Sequence, residues 1–257
     1  MEKLRLINKL ARELDIEQKI LLRVVEAGDN QYPGQYAGFH LDELADSIEE
    51  IKQLTNIKID GVTSFPCFLC SDETGEILPT KNLNTLKNAK RLLEDNGMHI
   101  SALNTPSCTS TVAIEEIKRY GGTQGEPGHS LTGTTPLHAK TELPEKPGYV
   151  YVSEVSHNFD NHAYIYGGGY YRRGHLENVL FVDAGIRTLG HILPFADSNI
   201  DYFLESDIQQ PVGTSAIMSF RTQIFTTRSE VALVEEISKG EPKLVGIYDS
   251  QGKYLRR

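Results

Sequence analysis

The sequence predicts an α/β unit followed by a mostly-β domain, and three observations carry that expectation. Helix-period and strand-like segments alternate up to about residue 145. Pro144 and Pro147-Gly148 then break the pattern. Beyond them the apolar residues fall in short alternating runs with little helical periodicity. The expected domains are residues 1–145 and 146–257.

In order along the chain, Leu4, Ile7, Leu10, Ala11 and Leu14 recur at helical spacing, and Lys19 to Val25 reads as a buried strand. A helix near residues 41–54, on Leu41, Leu44, Ile48 and Ile51, precedes a strand from Ile57 to Ser64. A third helix runs from Asn82 to Asn96, closed by Gly97, and a strand follows from Met98 to Leu103. A short helix at 112–120 leads into the turn-rich stretch Gly121 to Gly128. Helices and strands alternating at this spacing imply a parallel sheet of βα units. The second domain offers strands at Tyr149 to Val155, Ala163 to Tyr166, Asn178 to Val182, Ser215 to Phe225, Glu230 to Val234 and Lys243 to Tyr248. A complete (β/α)8 barrel takes roughly 250 residues. The first domain has about 145, with about four βα units, and opens on a helix with no strand before it. It is therefore either a small open sheet or the rear half of a barrel.

Composition narrows the function. Of 257 residues, 26 are Lys or Arg and 35 Asp or Glu, a net charge of −9, which argues against a general binder of nucleic acid. No apolar run approaches the roughly 18 residues that suggest a membrane span, and Met1-Glu2-Lys3-Leu4-Arg5 has no apolar signal core. Three cysteines cannot make a disulfide framework. The expectation is a soluble, cytoplasmic protein with neither a nucleic-acid nor a membrane partner.

Four motifs stand out. Cys67-Phe68-Leu69-Cys70 has the spacing of a redox or zinc pair, but no second pair accompanies it, so no metal site is expected. Tyr166-Gly167-Gly168-Gly169-Tyr170-Tyr171-Arg172-Arg173-Gly174 allows close backbone approach to a ligand, or else forms a glycine hairpin with surface tyrosines. Glu126-Pro127-Gly128-His129 with Thr132-Gly133-Thr134 presents backbone amides of the kind that hold phosphate. Asn104-Thr105-Pro106-Ser107-Cys108-Thr109-Ser110 puts hydroxyls at the C-terminal end of a strand, as a ligand site or as a cap for the next helix. His40, His99, His138 and His191 stand singly and read as structural or solvated.

Taken together, Tyr32 to Gln35, Ser64 to Cys67, Leu78 to Thr80, Glu126 to His129, Leu131 to Thr134 and Tyr166 to His175 resemble the YhfX-like family. Phe220 to Phe225 and Arg228 to Val231 continue the likeness. That family is a branch of the alanine-racemase-like, fold-type III proteins that use pyridoxal 5′-phosphate (PLP). The resemblance implies the rear half of a (β/α)8 PLP-binding barrel followed by a β-rich domain, α/β plus all-β in class, in a head-to-tail homodimer. It also implies chemistry at the α-carbon of an amino acid, namely racemisation or epimerisation. Decarboxylation or elimination is the alternative, and an inactive truncated or split chain is another.

Roles follow by position. Glu126 stands where racemases place the arginine that faces the pyridine nitrogen, and so resembles the related decarboxylases. Gly128 and His129 would meet the phosphate, with Ser107 as a second contact, and Tyr166 matches the catalytic tyrosine. Tyr36 is matched to a cofactor-side arginine and Ser64 to a histidine, so the racemase hydrogen-bond network is not kept. No lysine here sits in the context of the cofactor-binding lysine, so covalent attachment of PLP to this chain is not expected. The resemblance also implies either a homodimer or a separate N-terminal half as partner.

Overall fold

The computed structural model describes residues 1–71, 73–167, 174, 176–194, 196, 202–221 and 229–257. The chain divides into two compact units, Met1–Ser130 and Leu131–Arg257.

The first unit alternates helices with parallel strands. Helix α1 (Glu2–Glu13) buries Leu4 and Ala11 and leaves Leu6, Leu10 and Leu14 exposed. Strand β1 (Gln18–Arg23) pairs in parallel with β2 (Ile57–Thr63), and the helix between them, α2 (Leu41–Lys52), turns Leu44, Ile48 and Ile51 inward. The start of α2 is held by two carboxylates that take up amide protons left over at a helix end. Glu26 Oε1 accepts from Leu41 N at 2.6 Å, and Glu43 Oε2 from His40 N at 3.3 Å. A short antiparallel pair, β3 (Phe68–Cys70) and β4 (Ile77–Pro79), precedes α3 (Asn82–Asp95). β5 (Ala102–Asn104) then joins β2, and α4 (Ile114–Arg119) closes the unit. The parallel sheet runs β1-β2-β5, and a bridge from Asn104 to Gln124 continues it.

Two details show why the sheet takes this form. β2 carries one extra residue, Asp60, opposite the step from Ile20 to Leu21, so the register shifts there. Gly61 is obligatory at its place. A Cβ there would lie 2.3 Å from the Ala102 carbonyl oxygen, so only glycine lets β5 approach. The core is built from Leu22, Val24, Leu44, Val62, Phe68, Leu86 and Leu93, each at most 2% exposed. Each such side chain contributes roughly 1.5–3 kcal/mol on burial.

The strand expected from Met98 to Leu103 is shorter and later. Met98 N still bonds Leu93 O (3.1 Å) in the helix exit, where Gly97 takes φ +83°, so extended pairing is confined to Ala102–Asn104. The β3–β4 pair was not foreseen, because three-residue strands carry no readable period.

The second unit contains a six-stranded antiparallel sheet in the order β10-β7-β6-β11-β8-β9. These are β6 (Tyr151–Phe159), β7 (His162–Tyr166), β8 (Asn178–Asp183), β9 (Ile186–His191), β10 (Phe203–Ser206) and β11 (Ser215–Met218). Two hairpins turn on residue pairs with positive φ, Asp160-Asn161 (45° and 67°) and Ala184-Gly185 (46° and 86°). That conformation matches the right-handed twist of the strands it joins. Val155, Ile165, Val179, Phe181, Leu204 and Met218 form the buried face. A separate three-stranded sheet, β12 (Val231–Glu235), β13 (Lys243–Tyr248) and β14 (Tyr254–Arg256), exposes Val231, Leu233, Leu244 and Tyr254. Residues 131–147 pack within this second unit: Asn178 Nδ2 donates to Ala139 O at 2.9 Å, and Gly133 lies against Lys146 and Pro147. No described helix is long and apolar enough to cross a membrane.

The cysteine pair is separated by environment. Cys67 is fully buried, its Sγ donates to Ser64 O (3.1 Å), and burial pushes its pKa up to about 12. Only the thiolate is nucleophilic. Brief alkylation of the native protein near pH 8 is therefore expected to label the partly exposed Cys70 and Cys108 well before Cys67, as read by peptide mass mapping. Equal labelling of Cys67 would show that it opens readily. Among the described residues no group of three or more His, Cys, Asp or Glu side chains could hold a metal.

Candidate functional site

The candidate site of the first unit lies beyond the C-terminal ends of its parallel strands, where α/β folds place their ligands. Its centre is Asn104, the last residue of β5, only 5% exposed. Asn104 Nδ2 donates to Thr63 Oγ1 at the end of β2 (3.0 Å) and to Glu126 Oε1 (2.7 Å). Backbone bonds tie the segment that carries Glu126 to β5: Thr123 N donates to Leu103 O (3.0 Å) and Thr105 N to Gln124 O (2.9 Å). Glu126 N donates in turn to Thr109 Oγ1 at 2.9 Å. Glycines allow this close approach, since a Cβ at Gly122 would lie 2.5 Å from Thr105 Oγ1 and one at Gly125 2.8 Å from the Thr109 side chain. An exposed glutamate is thus held at both its backbone and its carboxylate.

Other residues singled out in the sequence gather at the same end. Ser107 lies three residues past β5, its Oγ 3.7 Å from Cys108 Sγ. Ser110 Oγ is buried with no hydrogen-bond partner. A Cβ at Gly128 would meet nothing within 4 Å, so its backbone faces open space. His129 begins the short turn His129–Thr132. Tyr36, 67% exposed, sits on the loop that follows β1; Arg23 donates to Gln35 O (2.9 Å) and Phe39 N to Arg23 O (2.8 Å). Ser64 is fully buried and accepts from Asn82 Nδ2 at 3.1 Å, a structural contact.

Tyr166 belongs to the second unit, at the end of β7, 47% exposed. Its ring lies 5.8 Å from that of Phe203, its partner across the strands, and its carbonyl accepts from Ser153 Oγ at 2.7 Å. The rest of the motif, 168–173 and 175, is outside the described residues, as are 222–228. The same face of the sheet carries a cluster the sequence reading missed. Glu205 Oε1 is shared by His162 Nδ1 (2.6 Å) and Tyr164 OH (3.0 Å), and His157 stacks on Tyr164 at 4.8 Å. Burial, and then the Glu205 carboxylate, raise the Tyr164 pKa above its ordinary value. Residues 162, 164 and 166 alternate on one strand, a two-residue period that could have flagged this row. His138 is satisfied as expected: its Nδ1 accepts from Thr135 N at 3.1 Å.

With this geometry described, comparison with known proteins decides the family. Residues 1–136 match the alanine racemase N-terminal domain, and residues 150–244 match the YhfX-like C-terminal domain. The chain belongs to the YhfX-like family of alanine-racemase-like proteins. It is 41% identical over 257 residues to the uncharacterized protein YhfX of Escherichia coli K12, covering 99% of this chain and 66% of that one. The chain thus spans about two thirds of the length of this relative. Among solved structures, the Paramecium bursaria Chlorella virus arginine decarboxylase is 14% identical with a TM-score of 0.51, covering 82% of this chain and 63% of that one. The alanine racemase of Streptomyces coelicolor A3(2) is 15% identical with a TM-score of 0.48, covering 86% of this chain and 62% of its own. The family fold is a barrel portion followed by a β-rich domain, as the alternating first part and the short strand runs of the second imply.

Proposed function

We propose that this family member carries PLP-dependent chemistry at the α-carbon of an amino-acid-like small molecule, acting as a racemase or epimerase. The observation that carries the proposal is the Glu126 carboxylate, fixed by Asn104 and Thr109 at the ligand end of an alanine-racemase-type sheet. The donor set suits PLP. Glu126 is an anion for the ring nitrogen, and the backbone of Gly128 and His129 with the Ser107 hydroxyl would hold the phosphate through N–H and O–H donors. The open space at Gly128 and the buried, unpartnered Ser110 hydroxyl are consistent with a ligand at this end. When bound, PLP supplies an electron sink for the charge left at the α-carbon once a proton or carboxyl group departs. Glu126 favours a protonated ring nitrogen by opposite charge, which strengthens that sink. Tyr166 is assigned to move the proton, from a second copy of the chain in a homodimer, and Tyr36 lines the cofactor side.

A second reading, decarboxylation or elimination, is favoured by Glu126 itself, because a carboxylate at this position resembles the decarboxylases rather than the racemases. A third is a chain inactive by itself. The experiment uses the 257-residue chain, alone and mixed with the portion of the E. coli relative outside the match. Each sample receives PLP and a panel of amino acids in D2O. Deuterium at the α-carbon with inverted chirality supports racemisation, and release of carbon dioxide supports decarboxylation. Failure of every sample to bind PLP overturns the proposal.

A further inference from the structure

Glu126 is exposed, and an exposed glutamate ordinarily samples several rotamers. Here its Oε1 is taken by Asn104 Nδ2 at 2.7 Å. That nitrogen is committed twice, since its second proton goes to Thr63 Oγ1 at 3.0 Å. Asn104 is buried, and its own backbone is pinned in β5, so its amide cannot follow a wandering carboxylate. The bond joins positions 22 residues apart, and the bond to Thr63 joins positions 41 apart. The ends of two strands and the glutamate loop are therefore locked together by one side chain.

The residue type matters as much as the position. Lysine or arginine at 104 would orient the carboxylate but cancel its charge, while aspartate would repel it. An amide is the neutral donor that aims a carboxylate and leaves its full charge to act elsewhere. We propose that Asn104 is the positioning residue of this site, holding Glu126 toward a protonated ring nitrogen without neutralising it. The inference rests on the reading of Glu126 given above.

The test measures binding without requiring turnover. Fluorescence titration of the full chain uses pyridoxamine 5′-phosphate, which has the ring nitrogen and needs no lysine, and benzyl phosphate, which lacks that nitrogen. Asn104→Ala is expected to weaken pyridoxamine 5′-phosphate about tenfold, the worth of one charge-assisted hydrogen bond, and to leave benzyl phosphate unchanged. The double variant with Glu126→Gln should bind no more weakly than Glu126→Gln alone. Should Asn104→Ala fail to fold, the isosteric Asn104→Asp carries the test, with an expected loss greater than tenfold. Equal weakening of both ligands, or full additivity in the double variant, would mean that Asn104 acts only structurally. If Glu126→Gln weakens pyridoxamine 5′-phosphate while Asn104→Ala does not, the inference fails and the reading of Glu126 stands. If Glu126→Gln affects neither ligand, or the chain binds neither, both fall.

Discussion

Glu126→Gln is expected to slow reaction at the amino-acid α-carbon by at least about a hundredfold in the PLP-loaded protein, with the cofactor retained. Removing one preorganised electrostatic group from a reacting centre typically lowers the rate by about 10²–10³. Glutamine keeps the shape, and its carbonyl oxygen still accepts from Asn104, so the variant removes charge and little else. The measurement is the rate of α-deuterium exchange, with cofactor content read by absorbance in the same sample. A rate within about threefold of the parent, with PLP bound, would place the glutamate away from the ring nitrogen. The comparison is made at PLP concentrations that keep both proteins loaded, because the variant is expected to hold the cofactor more weakly.

The largest expected stability effect belongs to Asn82, at the start of α3 and 1% exposed. Its Oδ1 accepts from Asn30 N (2.8 Å), and its Nδ2 donates to Asn30 O (3.0 Å) and to Ser64 Oγ (3.1 Å). One side chain thereby satisfies both backbone groups of a loop residue 52 positions away and a fully buried hydroxyl. Thr85 Oγ1 adds a parallel tie to Asp29 Oδ1 at 2.9 Å. Asn82→Ala leaves the buried Ser64 hydroxyl unpaired, releases the loop at Asn30 and opens a small void, which together cost about 3 kcal/mol. A melting temperature lower by roughly 6–12 °C is expected, together with faster proteolysis of residues 26–40. A shift under about 2 °C would show that water replaces the amide at little cost.

What could be read from the sequence was local. Helices α2 and α3 follow from apolar residues spaced three and four apart, and the end of α3 from Gly97. β2 was legible because Ile57 and Ile59 alternate with Lys58 and Asp60, the two-residue period of a strand with its apolar side turned inward. The segments at 126–134 and 166–175 carried the family likeness through their glycine-rich motifs. β9, β10 and β14 were not legible. Ile186–His191 and Phe203–Ser206 mix charged and apolar residues on a half-exposed sheet, where cross-strand neighbours rather than intrinsic preference decide pairing.

The sequence by itself determined the alternation of helix and strand in the first unit, the β-rich character of the second and the residue types available for chemistry at 104–110 and 126–129. Only the tertiary structure decided how those residues meet. Periodicity reports which face of an element is buried, but it says nothing about which distant side chain completes a hydrogen bond. Asn104 looked like one polar residue among several at a strand end until folding brought Thr63 and Glu126 to the same nitrogen. Asn82 looked like an ordinary first-turn residue until the loop at Asn30 closed over it. Each of these contacts spans 22 to 52 residues, and the compact core that enforces them is not visible in any local window.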